Sequence, residues 1–198
     1  MLLHSASQGG NLDLSVDATG DGSIAPYHQA VLLEMGGWLR ANGAREQHLL
    51  AEFTAAGWNV ELADNTVGAL WTKFAYLGPN AAFNTVTGLN SSQLCQSTEC
   101  MDLMRRMVAE YVAVGNAEGA ELPENLVDQL VERFQNPIIG VTSMRRDRVA
   151  GKRIEVDSLV TVVIRRGKAA NIPTPVTDTL NALLQPMAAG SAPLPTSD

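Results

Sequence analysis

The chain has 198 residues, 45% of them hydrophobic, and a formal net charge of −7. This composition fits a folded globular protein of one ordinary domain or two small ones and excludes a disordered chain. The acidic balance argues against a nucleic-acid partner, since phosphate binding needs a basic surface, and no run of about 18 apolar residues is available to cross a membrane. The N-terminal stretch MLLHSASQGG lacks the basic flank and long apolar run of a signal peptide, so the cytoplasm is the expected location. Cys95 and Cys100 are the two cysteines, and all three histidines precede residue 50. Two reduced thiols are expected, and no metal site.

In NLDLSVDATGDGSIA, Leu12, Leu14 and Val16 alternate with polar residues, which predicts a strand, with DATGDG as the turn of a hairpin. YHQAVLLEMGGWLRAN spaces Val31, Leu32, Met35, Trp38 and Leu39 as a helix, weakened by Gly36 and Gly37. From about residue 45 the period is helical. REQHLLAEFTAAG ends at Gly57, WNVELA is a short extended piece, and Asp64 is placed to cap NTVGALWTKFAYL. Gly78-Pro79 predicts a break in that helix, with NAAFNTVTGL resuming beyond it and SSQLCQS as a connector. Residues 99–118 form a long amphipathic helix through Leu103, Met107, Val108, Tyr111 and Val114. Pro123 opens a helix carrying Leu126, Leu130, Val131 and Phe134. Ser143 starts a short charged helix that stops at Gly151. Glu155 to Ala170 carries Val156, Leu159, Val160, Val163 and Ile164, and after IPTP a last helix spans Val176 to Leu184. The tail from residue 188 has the composition of a disordered segment.

Charge is unevenly spread. Residues 142–168 hold eight of the fourteen basic residues and three acids, a net +5, so the remainder carries −12. Such a segment either pairs with acidic helices or attracts a small anion, a carboxylate or a nucleotide phosphate. Lys73 falls beside Leu70 and Leu77 on a helical wheel. It either snorkels, with its stem packed and its ammonium in water, or sits in a partly dry cleft as a proton donor. Asn80 and Asn84 continue the stripe of Lys73 and Leu77. Two amides and an ammonium in line can hold an oxygen-rich ligand, although either asparagine alone also suits a cap or a turn. Ser143 and Glu155 open successive helical pieces. A serine there is an N-cap candidate, and a glutamate answers the helix dipole.

Taken together, LLAEFTAAGWNVELADNTVGALWTKF, NTVTG, TSMRRDRVAGKRIEVDSL and ANIPTPVTDTL occur in the order and approximate spacing of a known family. Residues 46–186 resemble the C-terminal domain of the ketopantoate reductase (2-dehydropantoate 2-reductase) family. The marks of that family are W-x-K, a later S-M-x-x-D, a glutamate twelve residues after the serine, and a Thr-Pro. They are matched here by Trp71-Thr72-Lys73, Ser143-Met144-Arg145-Arg146-Asp147, Glu155 and Thr174-Pro175. The resemblance implies a mainly α fold: an all-helical domain over residues 45–187, often dimeric, preceded over residues 1–44 by a short β-containing remnant of a Rossmann-type dinucleotide-binding domain. It implies NADPH-dependent reduction of a 2-keto acid, ketopantoate to pantoate in pantothenate biosynthesis. Lys73 would be the proton donor to the keto oxygen and Ser143 a substrate-binding serine. Glu155 would lie where substrate meets NADP(H), keeping Lys73 charged.

Three departures stand beside the resemblance. The family carries asparagines four and eight residues after the lysine, where this chain has Leu77 and Ala81. Asn80 and Asn84, one turn further along, are the candidates to replace them as substrate-binding residues, and a further family asparagine aligns near Asn90 or Ser91. No G-x-G-x-x-G fingerprint occurs in the chain. The Asn-Gly of the family's E-I-D-x-x-N-G is Val160-Thr161 here. Two readings follow: the substrate and catalytic half of a reductase, or a helical dimerisation module that does not turn over.

Overall fold

Backbone pairing and packing can be followed over residues 3–5, 12–14, 34–35, 44–56, 61–62, 65–135 and 140–190, which the computed structural model describes. The chain divides into two compact units, Met1–Ala69 and Leu70–Asp198.

In the first unit β1 (Leu3–Ser5) pairs antiparallel with β2 (Leu12–Leu14), Leu3 standing opposite Leu14. The strand expected at Leu12 and Leu14 is present, but its partner precedes it in the chain; the DATGDG turn lies outside the described residues. β3 (Glu34–Met35) runs parallel to β4 (Glu61–Leu62), and α1 spans Ala44–Ala55. The helix expected over YHQAVLLEMGGWLRAN is therefore corrected at Glu34 and Met35. Two glycines follow directly, each about 1 kcal/mol worse than Ala in a helix, and pairing with β4 satisfies the backbone instead. The rest of that stretch, Gly57, Asp64 and most of the expected Rossmann-type remnant lie outside the described residues.

The second unit is all-helical among its described residues. α2 (Thr66–Thr87) has its first four residues in the first unit and the rest in the second; it starts at Asn65, whose Oδ1 accepts from the Gly68 N–H at 2.8 Å. The break expected at Gly78-Pro79 does not occur, and Pro79 lies inside the continuous helix. Two physical reasons account for this. A proline ring meets the Cβ of the residue before it, and Gly78 has none. Residues 78–85 are also all buried, so this part of α2 is enclosed on every face, and burial offsets the roughly 3 kcal/mol that an interior proline costs.

α3 (Ser91–Leu94) stands where a connector was expected. It is held by a reciprocal cap: Asn90 Oδ1 accepts from the Gln93 N–H, and Gln93 Oε1 from the Asn90 N–H, each at 2.9 Å. α4 (Thr98–Ala117) buries Met104, Met107, Val108, Tyr111, Val112, Val114 and Gly115, whereas Leu103, on the expected stripe, is 39% exposed. α5 (Leu126–Gln135) starts three residues after Pro123 and stacks Phe134 on Tyr76, ring centroids 4.6 Å apart. α6 spans Ser143–Val149. The helix expected from Glu155 begins instead with a π turn, Asp157–Thr161, before α7 (Val162–Ala170). α8 (Pro175–Leu184) has Pro175 in its first turn and ends in a 3-10 turn, Gln185–Met187. Glu110 of α4 caps α8, its carboxylate accepting the Val176 and Thr177 N–H groups at 2.8 Å and the Thr177 hydroxyl at 2.6 Å. The expected disordered tail gives way at its start: the Ile154 N–H donates to the Ala188 carbonyl at 3.1 Å, and Gly190 closes a turn onto Met187.

α2 and α4 touch through two glycines. A Cβ on Gly78 would stand 2.6 Å from the Tyr111 ring, and one on Gly115 would stand 2.9 Å from the Trp71 ring. Tyr111 is fully buried and cannot swing aside. Gly78→Ala should therefore destabilise the chain by about 1–3 kcal/mol through overpacking, despite alanine's better helix propensity. Urea unfolding checks this, with a lower midpoint expected at unchanged slope.

Candidate functional site

Lys73 stands on α2, between Trp71 and Phe74 in the sequence; the rings of those two residues pack against each other with centroids 5.5 Å apart. It is partly buried, as its place on the wheel predicts. Phe74 in turn packs on Tyr111 at 5.2 Å. Tyr111 reaches across to donate its hydroxyl proton to the Leu159 carbonyl at 2.6 Å, inside the π turn. A single residue of α4 thus joins the helix that bears Lys73 to the turn that follows Glu155. Sequence reading treats Tyr111 as one more core position. The available signal is that it is tyrosine and not phenylalanine, because a buried phenol needs a partner.

Asn80 and Asn84 are brought together, but not on an open face: both are 0% exposed. Asn84 Nδ2 donates to Asn80 Oδ1 at 3.0 Å and to Ser91 Oγ at 3.4 Å, and Ser91 Oγ donates to Asn80 Oδ1 at 3.0 Å. Asn84 Oδ1 accepts the Thr142 N–H at 3.4 Å. Asn80 Nδ2 and Thr142 Oγ1 are buried without a hydrogen-bond partner. Ser91, one of two residues near which a family asparagine aligns, is a member of this network, while Asn90 caps α3. By the helical rise, Asn80 lies about 10 Å along α2 from Lys73.

Ser143 is the first residue of α6, and Thr142 occupies the N-cap position, so Ser143 is not the cap. Its side chain is exposed. Glu155 is also exposed and precedes the helical segment, so it does not sit in a helical first turn. It lines an open hollow with Arg153, Ile154, Asp157 and Ser158. Thr161, the last residue of the π turn, falls where the resemblance aligns a glycine. Its hydroxyl donates to Asn181 Oδ1 at 2.8 Å and accepts from Gln185 Nε2 at 3.1 Å, which ties the π turn to α8.

Part of the basic segment is answered within the fold. Lys152 pairs with Asp147 at 3.8 Å, and Arg166 pairs with Glu118. Cys95 and Cys100 are free thiols; burial pushes the Cys95 thiol up from its ordinary range. Burial also raises the Tyr111 phenol, with the Glu110 carboxylate adding to it. The Tyr76 phenol is likewise raised by burial, against the opposing charge of Arg133, whose guanidinium lies 4.4 Å from the ring centroid. Among the described residues no group of His, Cys, Asp and Glu is placed to hold a metal ion, and no helix is long and apolar enough to cross a membrane.

The fold is similar to that of the structure of D-mandelate dehydrogenase solved with NADH and anilino(oxo)acetate, the match covering 86% of this chain and 70% of that one at a TM-score of 0.73. At 18% identity this is a likeness of fold alone. The family model described as "Ketopantoate reductase PanE/ApbA C terminal" matches residues 65–188, and the chain belongs to that family. It is 32% identical over 156 residues to a 2-dehydropantoate 2-reductase of Caulobacter vibrioides, covering 78% of this chain and 53% of that protein. It also matches the crystal structure of a PanE/ApbA family ketopantoate reductase from Ralstonia eutropha JMP134, at 30% identity and a TM-score of 0.67, over 79% of this chain and 50% of that one. The chain spans about half the length of the curated relatives it matches. Residues 1–44 match a different model, alpha-L-fucosidase, a stretch too short to assign the chain to that family.

The raised phenols make stability depend on pH in a stated direction. The folded chain holds a phenolic proton that the unfolded chain releases near pH 10, so stability is complete below that pH and falls as pH rises above it. Of the three tyrosines, at least one, Tyr111, should remain un-ionised at about pH 11 until the chain unfolds. Ultraviolet titration of folded and urea-unfolded chain checks this; simultaneous ionisation of all three near pH 10 in the folded chain would contradict it.

Proposed function

We propose that this chain supplies the substrate and proton-donor side of a 2-keto-acid reductase of the 2-dehydropantoate 2-reductase kind, acting with NADP(H). The observation that carries the reading is the family match over residues 65–188 together with a lysine, a serine and a glutamate at the family's motif positions. In this reading Lys73 gives its proton to the keto oxygen as hydride reaches the carbonyl carbon. It stabilises charge that develops in the transition state and leaves a 2-hydroxy acid. Ser143, exposed at the start of α6, donates a hydrogen bond to the substrate.

The hollow beside Glu155 is the place to test against the cofactor. Arg153, Ser158 and two carboxylates, Glu155 and Asp157, line it. The carboxylates disfavour a phosphate, whereas a ribose or a carboxamide offers hydroxyl and N–H donors to them. The residues therefore fit the nicotinamide end of the dinucleotide, with Glu155 accepting from it. When bound, NADPH supplies the hydride. A keto-acid substrate and a homodimer complete the proposal. A second reading is favoured by one observation: Asn80 and Asn84, the candidates to replace the family's substrate asparagines, are both fully buried. In that reading it is a helical dimerisation module without turnover of its own.

Mixing the chain with NADPH and ketopantoate and following the absorbance of the reduced cofactor separates the two. In an active preparation, Lys73→Ala should lower turnover by about 100- to 10,000-fold while leaving the far-ultraviolet spectrum unchanged. Neither binding nor turnover by the unaltered chain would leave the module reading.

A further inference from the structure

We propose that Asn84 is a positioning residue for Ser143, acting through the backbone of Thr142 and not by touching a substrate. The functional side of this proposal rests on the keto-acid reading above; the tether itself does not. The Asn84 side chain is fully buried, and both ends of its amide are engaged: Nδ2 with Asn80 and Ser91, Oδ1 with the Thr142 N–H. Thr142 is the N-cap of α6, yet its own side chain makes no capping bond and its hydroxyl has no partner. The entry to α6 is therefore held from outside. Asn84 holds Thr142 at 3.4 Å, and the Ser91 N–H holds the Gly140 carbonyl at 2.9 Å.

α6 has only seven residues, too few to fix its own start by helical cooperativity. Ser143 follows the tethered residue directly, so a displacement of Thr142 is passed to the serine hydroxyl. Asn80 completes the device. Its Oδ1 accepts from both Asn84 and Ser91. That acceptor sets which end of the Asn84 amide is the donor and turns Oδ1 toward Thr142.

The test uses the full chain with Asn84→Ala and Asn84→Asp. A buried aspartic acid keeps its proton, so it has the shape of the amide, an acceptor for Thr142 and a donor for Asn80. Backbone hydrogen exchange is read over residues 140–149, with α4 and α8 as internal references. Asn84→Ala should speed exchange at the start of α6, including the Arg146 N–H that donates to Thr142, by about tenfold or more. The references should stay unchanged, and Asn84→Asp should restore protection. Unchanged exchange in Asn84→Ala, an equal rise in every helix, or no restoration by Asn84→Asp would overturn the tether.

A second arm measures ketopantoate affinity by calorimetry for Asn84→Ala, Ser143→Ala and the double variant. The double variant should bind no more weakly than Ser143→Ala, because the two residues act through one contact. Losses that multiply would overturn the positioning role and make Asn84 a direct ligand. No binding by the unaltered chain would end the keto-acid reading, and the exchange arm would still decide the tether.

Discussion

The arrangement depends on one buried phenol. Tyr111 fills the space left by Gly78, packs on Phe74, and gives its hydroxyl proton to the Leu159 carbonyl. Each contact limits the others. The ring can lie this close to α2 only because residue 78 has no Cβ, and the hydroxyl reaches Leu159 only because the ring lies there. The carbonyl it binds belongs to a π turn, a conformation that recurs at functional sites and needs support from outside the helix. The next residue toward the N-terminus, Glu110, caps α8. Two adjacent residues of α4 therefore fix three other segments: the lysine helix, the turn after the glutamate, and α8, which Thr161 also holds.

Much of this was legible in the sequence. Apolar spacing located α4, α5 and α8 to within a few residues, and the motif residues marked the family. The errors share a physical cause. Local rules read Gly78-Pro79 as a break, but the helix is enclosed on every face there, and burial outweighs the loss of one backbone hydrogen bond. Asn80 and Asn84 fall on the stripe of Lys73, which suggests either a ligand site or a cap or turn. The same enclosure places them in the core, where they bond each other and Ser91. Nothing in the period of residues 155–170 announced a π turn, because the extra residue is held by Tyr111, 48 positions away. The reciprocal cap of α3 is present in the sequence as Asn90 and Gln93, but SSQLCQS has no apolar period to mark a helix.

Family membership and the site are different kinds of statement. The match over residues 65–188 establishes the first. The second is our proposal, and it starts from where the motif residues stand: Lys73 partly buried, Ser143 exposed at a helix start, Glu155 lining a hollow. Two polar ties mark the described core. Thr161 ties the π turn to Asn181 and Gln185, and the buried Asn80 and Asn84 bond each other and Ser91. Both hold the domain together.

The central proposal is that this helical unit receives a 2-keto acid through Lys73, Ser143 and Glu155. Titration of isotopically labelled chain with ketopantoate, followed by backbone and lysine side-chain nuclear magnetic resonance, tests it without requiring turnover. The account predicts saturable shifts confined to Lys73 and its neighbours, the start of α6 and the residues around Glu155, with the Asn80 and Asn84 side-chain amides moving only slightly. No saturable shift, or shifts centred elsewhere on the unit, would contradict it.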